Sequence, residues 1–241
     1  MRADLLLVER GLFESRAKAQ AAIAAGCVLA AGVSVTRASD ALPADVEIEA
    51  SPAHPFVSRG GVKLAFALER FGIDATGAHA LDVGASTGGF TDALLAAGVA
   101  HVTAVDVGTG QLHPRLQADP RVTSLEGVDI RALAPEALPR APEVVAVDVS
   151  FAPLAVVLPA AVALAAPQAT LVALVKPQFE AGRRDVGKRG IVKDQAVHAR
   201  VAAEALDLVA SLGFKPLGLE PSPIKGGDGN VEFVLAARRH G

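Results

Sequence analysis

Four ionisable residues, Lys63, Asp148, Lys176 and Glu232, are of types that could do chemistry together. Asp148 follows the apolar run Val144-Val145-Ala146-Val147, and Lys176 follows Leu171-Val172-Ala173-Leu174-Val175. Short apolar runs of this kind suit strands buried on both faces, which places both residues at strand carboxyl ends. Glu232 stands at the start of the last β-prone run, and Lys63 opens the helical pattern Val62–Phe71. A lysine set among carboxylates could take a proton from a weak acid such as a sugar hydroxyl. An ordinary lysine, with a pKa of about 10.4, is mostly protonated at neutral pH. Partial burial and a second lysine disfavour its charged form, while Asp and Glu oppose that shift and orient the amine. Lys176 is the expected base and Lys63 its cationic neighbour. Taken singly, each of the four reads as half of a structural ion pair.

A second constellation precedes these in the chain: Leu81-Asp82-Val83-Gly84-Ala85-Ser86-Thr87-Gly88-Gly89-Phe90-Thr91. An apolar strand runs into a glycine loop, and a helical pattern opens beyond it. Glycines allow close backbone approach to a ligand, and a helix N-terminus adds free N–H groups. A phosphate-binding P-loop needs a lysine where Phe90 stands, and a dinucleotide fingerprint needs a second glycine where Ser86 stands. The pattern D-x-G-x-x-x-G-G resembles the S-adenosylmethionine loop of class I methyltransferases. Asp106 ends the next apolar run, where an acid can accept hydrogen bonds from ribose hydroxyls. Asp129 ends the third and could meet an adenine amino group. A lone Asp at a strand end is usually a turn or cap residue; three strands ending in matching groups favour a ligand.

The elements that must position these residues alternate along the chain. Strands are expected at Ala80–Val83, Val102–Val107, Val122–Leu125, Val144–Val149, Thr170–Lys176, Lys215–Glu220 and Val231–Ala236, with helical patterns between most of them and the clearest from Asp194 to Leu212. This is the α/β class with a doubly wound, mostly parallel sheet. The connection Pro221–Asn230 is too short for a helical crossover, so the last strand should run antiparallel to its predecessor. Residues 1–50 read as a separate small unit. A short helix over Ala3–Arg10 is followed by a second, capped by Ser15 and ending at Gly26. Short β-prone pieces follow at Val28-Leu29, Val33-Ser34-Val35 and Val46-Glu47-Ile48. Two prolines in Ser51-Pro52-Ala53-His54-Pro55 mark a linker over 51–57, and 58–241 form the larger domain.

Composition narrows the class further. The 241 residues are 51% hydrophobic and 20% charged, which fits a globular protein with a sizeable core. The net charge of -3 means that nucleic-acid affinity must come from local patches. The single Cys27 rules out an intramolecular disulfide and a thiolate metal cluster, and it suits a reduced cytoplasmic setting. The N-terminal apolar run is closed by Glu9 and Arg10, so it is no signal peptide. Leu154–Val175 is long enough to span a membrane, but Pro159, Pro167 and Gln168 divide it into a helix and a strand.

In order and surroundings, Lys63, Asp148, Lys176 and Glu232 resemble the K-D-K-E tetrad of FtsJ/RrmJ-type 2'-O-methyltransferases. The words around them resemble the TlyA, or haemolysin A, branch: Val57-Ser58-Arg59-Gly60-Gly61-Val62-Lys63-Leu64, Asp148-Val149-Ser150-Phe151, Val175-Lys176-Pro177-Gln178-Phe179-Glu180 and Gly229-Asn230-Val231-Glu232-Phe233. The resemblance implies a class I (Rossmann-like) methyltransferase fold that uses S-adenosyl-L-methionine. Its cofactor residues would be Asp82, Gly84, Ala85, Ser86, Gly88, Gly89, Phe90, Asp106, Val107, Asp129, Ile130 and Asp148. It implies methylation of cytidine 2'-hydroxyls in ribosomal RNA, foremost in the large-subunit 23S RNA, with the small-subunit 16S RNA as a second target. The chain ends resemble the shorter, large-subunit form of the family. Residues 1–50 would be the α-L type RNA-binding module. The expected partner is ribosomal RNA or a ribosomal subunit, with no membrane, no metal and a monomeric chain.

Phosphate contacts are expected from Arg2, Arg10, Arg16, Lys18 and Arg37 in the first unit, and from Arg59 beside the tetrad. The stretch 181–193 carries Arg183, Arg184, Lys188, Arg189 and Lys193 with three glycines, directly after the Lys176 loop. A basic flap there suits phosphate gripping; a solvated surface loop is the plain alternative. Three other classes compete. A cytolysin would need a membrane-inserting pattern that the sequence lacks. A non-catalytic RNA-binding protein leaves the full tetrad unexplained. A dinucleotide oxidoreductase lacks the fingerprint glycine.

Overall fold

The computed structural model describes residues 1–182, 184–187, 190–226 and 229–240, so Arg183, Lys188 and Arg189 lie outside the described residues. The chain divides into two compact units, Met1–Pro55 and Phe56–Gly241. The division falls inside the stretch expected as linker, but Phe56 and Val57 pack within the second unit. Val57 is buried and donates its backbone N–H to Asp92 at 2.8 Å.

The first unit holds α1 (Ala3–Glu9), α2 (Arg16–Ala24) and the strands β1 (Val28–Ala30), β2 (Val33–Ser34) and β3 (Ile48–Ala50). The strands form an antiparallel sheet in the order β2-β1-β3. Ser15 caps α2 by accepting the Lys18 N–H, and Cys27 N–H closes its far end on the Ala22 carbonyl. β3 begins two residues later than the alternation predicts. The guanidinium of Arg10 takes the carbonyls of Ala44 and Val46, so that segment meets its hydrogen bonds without joining the sheet. Ala3, Leu7, Phe13, Ala19, Ala22, Ile23 and Val28 make this unit's core.

The second unit begins with α3 (Gly60–Arg70) and continues through β4 (His79–Val83), α4 (Gly89–Ala96), β5 (His101–Asp106), α5 (Pro114–Gln117) and β6 (Val122–Glu126). It then runs through β7 (Val144–Val147), α6 (Leu154–Ala163), β8 (Ala169–Val175), α7 (Pro177–Glu180), α8 (Gln195–Ser211), β9 (Lys215–Pro221) and β10 (Phe233–Arg239). The seven strands form one sheet in the order β6-β5-β4-β7-β8-β10-β9. All neighbours from β6 to β8 pair in parallel, and β10 runs antiparallel to both β8 and β9. This is the Rossmann-like methyltransferase architecture, with the reversed strand where the short last connection requires it.

Alternate residues of the central strands enter two cores. Leu81, Val83, Val145, Val147, Leu171, Ala173 and Val175 face α6 and α8, and Ala80, Val144, Ala146, Val172 and Leu174 face α3 and α4. Both faces are covered, so every residue of β7 and β8 is buried, which is why they read as unbroken apolar runs. Pro159 lies inside α6 rather than ending it; the break before β8 comes only after Ala163. A proline removes one helical N–H, a cost the buried face of α6 outweighs here. No helix among the described residues is long and apolar enough to cross a membrane.

Candidate active site

The carboxyl edge of the parallel strands carries the chemistry, because the strand order reverses there. From β4 the chain winds outward through β5 to β6, and β7 then returns to the other side of β4. Loops leaving β4 and β7 diverge and open a crevice between them. Val83 pairs with Val147, and one residue farther along each strand stand Gly84 and Asp148. Gly84 has φ +84°, and a Cβ there would lie 2.5 Å from the Asp148 carbonyl oxygen. Only glycine accommodates both the left-handed turn and that contact.

Four elements deliver the tetrad. Lys176 follows β8 and Asp148 follows β7, both at the carboxyl edge. β10 pairs antiparallel with β8 in the register Phe233↔Val175, so Glu232 and Lys176 follow at the same end of that pair. Glu232 precedes β10 rather than opening it. Lys63 arrives on the first turn of α3. The start of α3 presses so close to the start of α4 that a Cβ at Gly89 would lie 2.2 Å from Ser58 Oγ. The four sort into two ion pairs, Lys63 Nζ to Glu232 Oε2 and Lys176 Nζ to Asp148 Oδ1, each at 2.5 Å. Lys176 also donates to Ser150 Oγ at 3.1 Å. Lys63, Lys176 and Glu232 are all buried.

Two cavities meet at this edge. The first, about 270 Å³, is lined by Lys63, Asp148, Lys176, Arg59 and the loop residues Gly84 to Thr87 with Gly89 and Phe90. Glu232 lies behind Lys63, outside the lining. The second, about 500 Å³, is lined by Asp106, Val107, Asp129, Ile130, Gln111 and the Val149–Ala152 turn. Gly84, Ser86, Asp148 and Ser150 line both. Asp106 accepts the backbone N–H of Ser86 on one oxygen and that of Gly108 on the other, each at 2.7 Å. Glu126 accepts three consecutive backbone N–H groups, from Gly110, Gln111 and Leu112, which hold its carboxyl below the usual range. That clamp presents Gln111, whose side chain accepts the Ser86 hydroxyl at 3.0 Å.

Several expected cofactor residues take other places. Asp82 is fully buried beneath the loop and accepts the Thr91 hydroxyl at 2.6 Å. Burial, reinforced by the charges of Asp148 and Asp106 and opposed by Thr91, pushes its carboxyl up to about 7. Gly88 caps α4 beneath Leu112 and Leu116. Neither lines either of these two cavities. Asp129 lines the second, but both its oxygens are taken by Arg131, which holds its carboxyl down at about 2.

The expected RNA contacts are spread over both units. In the first, Arg2 and Arg16 converge on the buried carboxylate of Asp4, Lys18 pairs with Glu14, and Arg37 pairs with Asp40. In the second, Arg59, Arg184 and Lys193 are exposed. Sequence reasoning assigned no role to Ser58, Gln111, Ser150 or Phe151. Ser150 and Phe151 stand in a conspicuous motif beside Asp148; nothing local marks Gln111. Phe151 is 91% exposed at φ +65°, and its ring lies 5.0 Å from that of Phe179. A bulky residue held in the left-handed region is a costly conformation.

Residues 56–239 match the family model of the FtsJ-like methyltransferases. The chain is 45% identical over 241 residues to the 16S/23S rRNA (cytidine-2'-O)-methyltransferase TlyA of Mycobacterium tuberculosis, covering 98% of this chain and 89% of that protein. It is 36% identical over 181 residues to the 23S rRNA (cytidine-2'-O)-methyltransferase TlyA of Campylobacter jejuni, covering 74% of this chain and 69% of that protein. Among solved structures, one described as a hemolysin from Streptococcus thermophilus superposes with a TM-score of 0.78 at 38% identity, over 100% of this chain and 88% of that one.

The buried acid beneath the loop yields a test with a defined sign. A carboxyl raised from an ordinary value near 3.8 to about 7 contributes stability that is full below the lower value and lost as pH rises through the higher one. Asp82→Asn keeps an acceptor for Thr91 and removes the titration. Its melting temperature should gain on that of the native protein between pH 4 and pH 7 and hold a constant lead above that. Parallel melting curves across this range would show that Asp82 does not titrate there.

Proposed function

This chain belongs to the TlyA/haemolysin A family of FtsJ-like methyltransferases, and from that premise we propose that it methylates the 2'-hydroxyl of cytidine in ribosomal RNA, using S-adenosylmethionine. The observation that carries the reading is the union of two neighbouring cavities through Gly84, Ser86, Asp148 and Ser150, one lined by Asp106 and apolar side chains and one by Lys63, Asp148 and Lys176 of the tetrad. Both relatives described above are named for 23S rRNA, so the large subunit is the first substrate to test.

The residues present fit the methyl donor. Asp106 uses one lone pair on each oxygen for backbone N–H groups and keeps others for the two ribose hydroxyls. Val107, Val128, Ile130 and Val157 supply an apolar wall suited to a purine. Because Arg131 fills both oxygens of Asp129, that carboxylate is assigned to building the Ile130 turn, not to the adenine amino group. Asp82 and Gly88 likewise build the loop. Held by Asp106 and this apolar wall, S-adenosylmethionine would supply an electrophilic methyl group, with a neutral thioether as the leaving group.

The tetrad's task is to take the proton. As the ribose 2'-oxygen bonds to the methyl carbon, its O–H bond breaks and the proton passes to Nζ of Lys176. Asp148 holds that amine from one side. Lys63, braced by Glu232, places a positive charge beside the cavity, where it stabilises developing negative charge on the oxygen. Phe151 offers an exposed ring on which a base can stack, and Arg59, Arg184 and Lys193 offer phosphate contacts. The first unit is assigned to RNA affinity.

Asp106→Ala should weaken S-adenosylmethionine binding by about 10-fold to 100-fold, the cost of losing hydrogen bonds to a charged acceptor; unchanged affinity in calorimetry would remove Asp106 from the site. Lys176→Ala should abolish methyl transfer with cofactor binding intact, and Lys176→Arg should fail too, because a guanidinium cannot act as the base near neutral pH. Lys63→Ala and Asp148→Ala should be severely impaired, Glu232→Ala less so, and their effects non-additive. The assay is tritiated methyl transfer to ribosomal RNA or subunits, with the product mapped to ribose or base; methyl groups on a base would refute the mechanism. A chain beginning at Phe56 should keep cofactor affinity but methylate ribosomal substrate poorly. Full activity of that shorter chain would remove the first unit from substrate binding.

A further inference from the structure

We propose that Ser150 is a positioning residue that fixes the direction of the Lys176 lone pair. The proposal rests on the reading of Lys176 as the base. A neutral amine has two N–H hydrogens and one lone pair. Around Lys176 Nζ stand Ser150 Oγ, which accepts its hydrogen bond at 3.1 Å, and Asp148 Oδ1, an ion-pair partner at 2.5 Å that makes no hydrogen bond. With Ser150 taking one hydrogen and the charge of Asp148 drawing the other toward itself, the lone pair is turned away from both. Lys176, Asp148 and Ser150 all line the first cavity, the space an incoming hydroxyl would fill. With Asp148 alone the amine could rotate about the Nζ···Oδ1 axis, and an N–H rather than the lone pair would meet the substrate for part of the time. The four-carbon stem of lysine does nothing to prevent this rotation.

The chain commits backbone strain to the placement of Ser150. The next residue, Phe151, is turned into the left-handed region at φ +65° although its ring is 91% exposed and gains little from packing. An unfavourable backbone angle of this kind persists only where the surroundings require it. Here it ends the short run Asp148-Val149-Ser150, whose first and last side chains both reach the same amine. The carboxylate answers the charge of Lys176; the hydroxyl answers its orientation.

The test uses the full chain, S-adenosylmethionine and ribosomal RNA or subunits. Ser150→Ala should lower kcat by about 10-fold to 100-fold, as expected for a lost hydrogen bond to a reacting group. KM for both substrates, cofactor affinity by calorimetry and the melting temperature should stay within about twofold or a few degrees of the native values. Ser150→Thr, which keeps the hydroxyl, should recover most of the turnover. A Ser150→Ala kcat within about twofold of native, a loss confined to KM or cofactor affinity, or a Thr variant no better than Ala would each overturn the proposal. The parent reading fails separately. If Lys176→Arg turns over normally, Lys176 is not the base, whereas inactive Lys176 variants beside a normal Ser150→Ala enzyme remove only the role given to Ser150.

Discussion

The antiparallel pairing of β10 with β8 is the constraint on which the site depends. In an all-parallel sheet every loop at the carboxyl edge follows a strand, so each strand contributes what comes after it. Reversing one strand lets a residue that precedes it reach the same edge. The register Phe233↔Val175 brings the approach to β10 alongside the exit from β8 and sets Glu232 at the edge that carries Lys176. From Glu232 the ion pair with Lys63 follows, and Lys63 draws in the first turn of α3, an element that precedes the sheet in the chain. A slip of one residue in this ladder would turn every β10 side chain to the opposite face and break both the core and the tetrad.

The same edge concentrates charge where desolvation is costly. Replacing a buried ion pair by apolar residues is often neutral or stabilising, whereas removing one partner is strongly destabilising. Two such pairs side by side therefore argue for function over stability. Their pairing gives each lysine its own carboxylate, Glu232 for Lys63 and Asp148 for Lys176. The acids below and beside them are handled differently. Asp82, deprived of water and near two other carboxylates, holds its proton up to about pH 7 and packs as a neutral hydrogen-bonded group. Asp106 is turned outward and steadied by two backbone N–H groups. Three aspartates at one edge thus become a loop brace, a cavity-lining acceptor and a lysine partner through environment alone.

Much of this architecture was legible because its signals are local. Apolar runs bounded by glycine, proline and charge marked the strands to within a few residues, and Ser15 and Asp194 marked helix starts through cap chemistry that acts within three residues. Where the reading slipped, a distant partner was responsible. β3 starts late where Arg10, far upstream, takes the Val46 carbonyl. Asp82 and Gly88 carry the sequence pattern of a ligand loop, and the fold sets them against Thr91, Leu112 and Leu116 at the loop's foundation. Phe56 and Val57 pass for linker because only their neighbours in the fold show that they are packed.

The sequence by itself determined the α/β class, the reversed last strand, the two constellations and the family resemblance, since all of these are written in periodicity, spacing and residue type. It could not say which lysine pairs with which carboxylate, that Gln111 lines the second cavity, or that Ser150 accepts from the amine of Lys176. Those facts depend on strand register and on the departure angles of loops that diverge at a switch point. Both are settled by packing between residues scores of positions apart, and such contacts leave no periodic trace in a single chain.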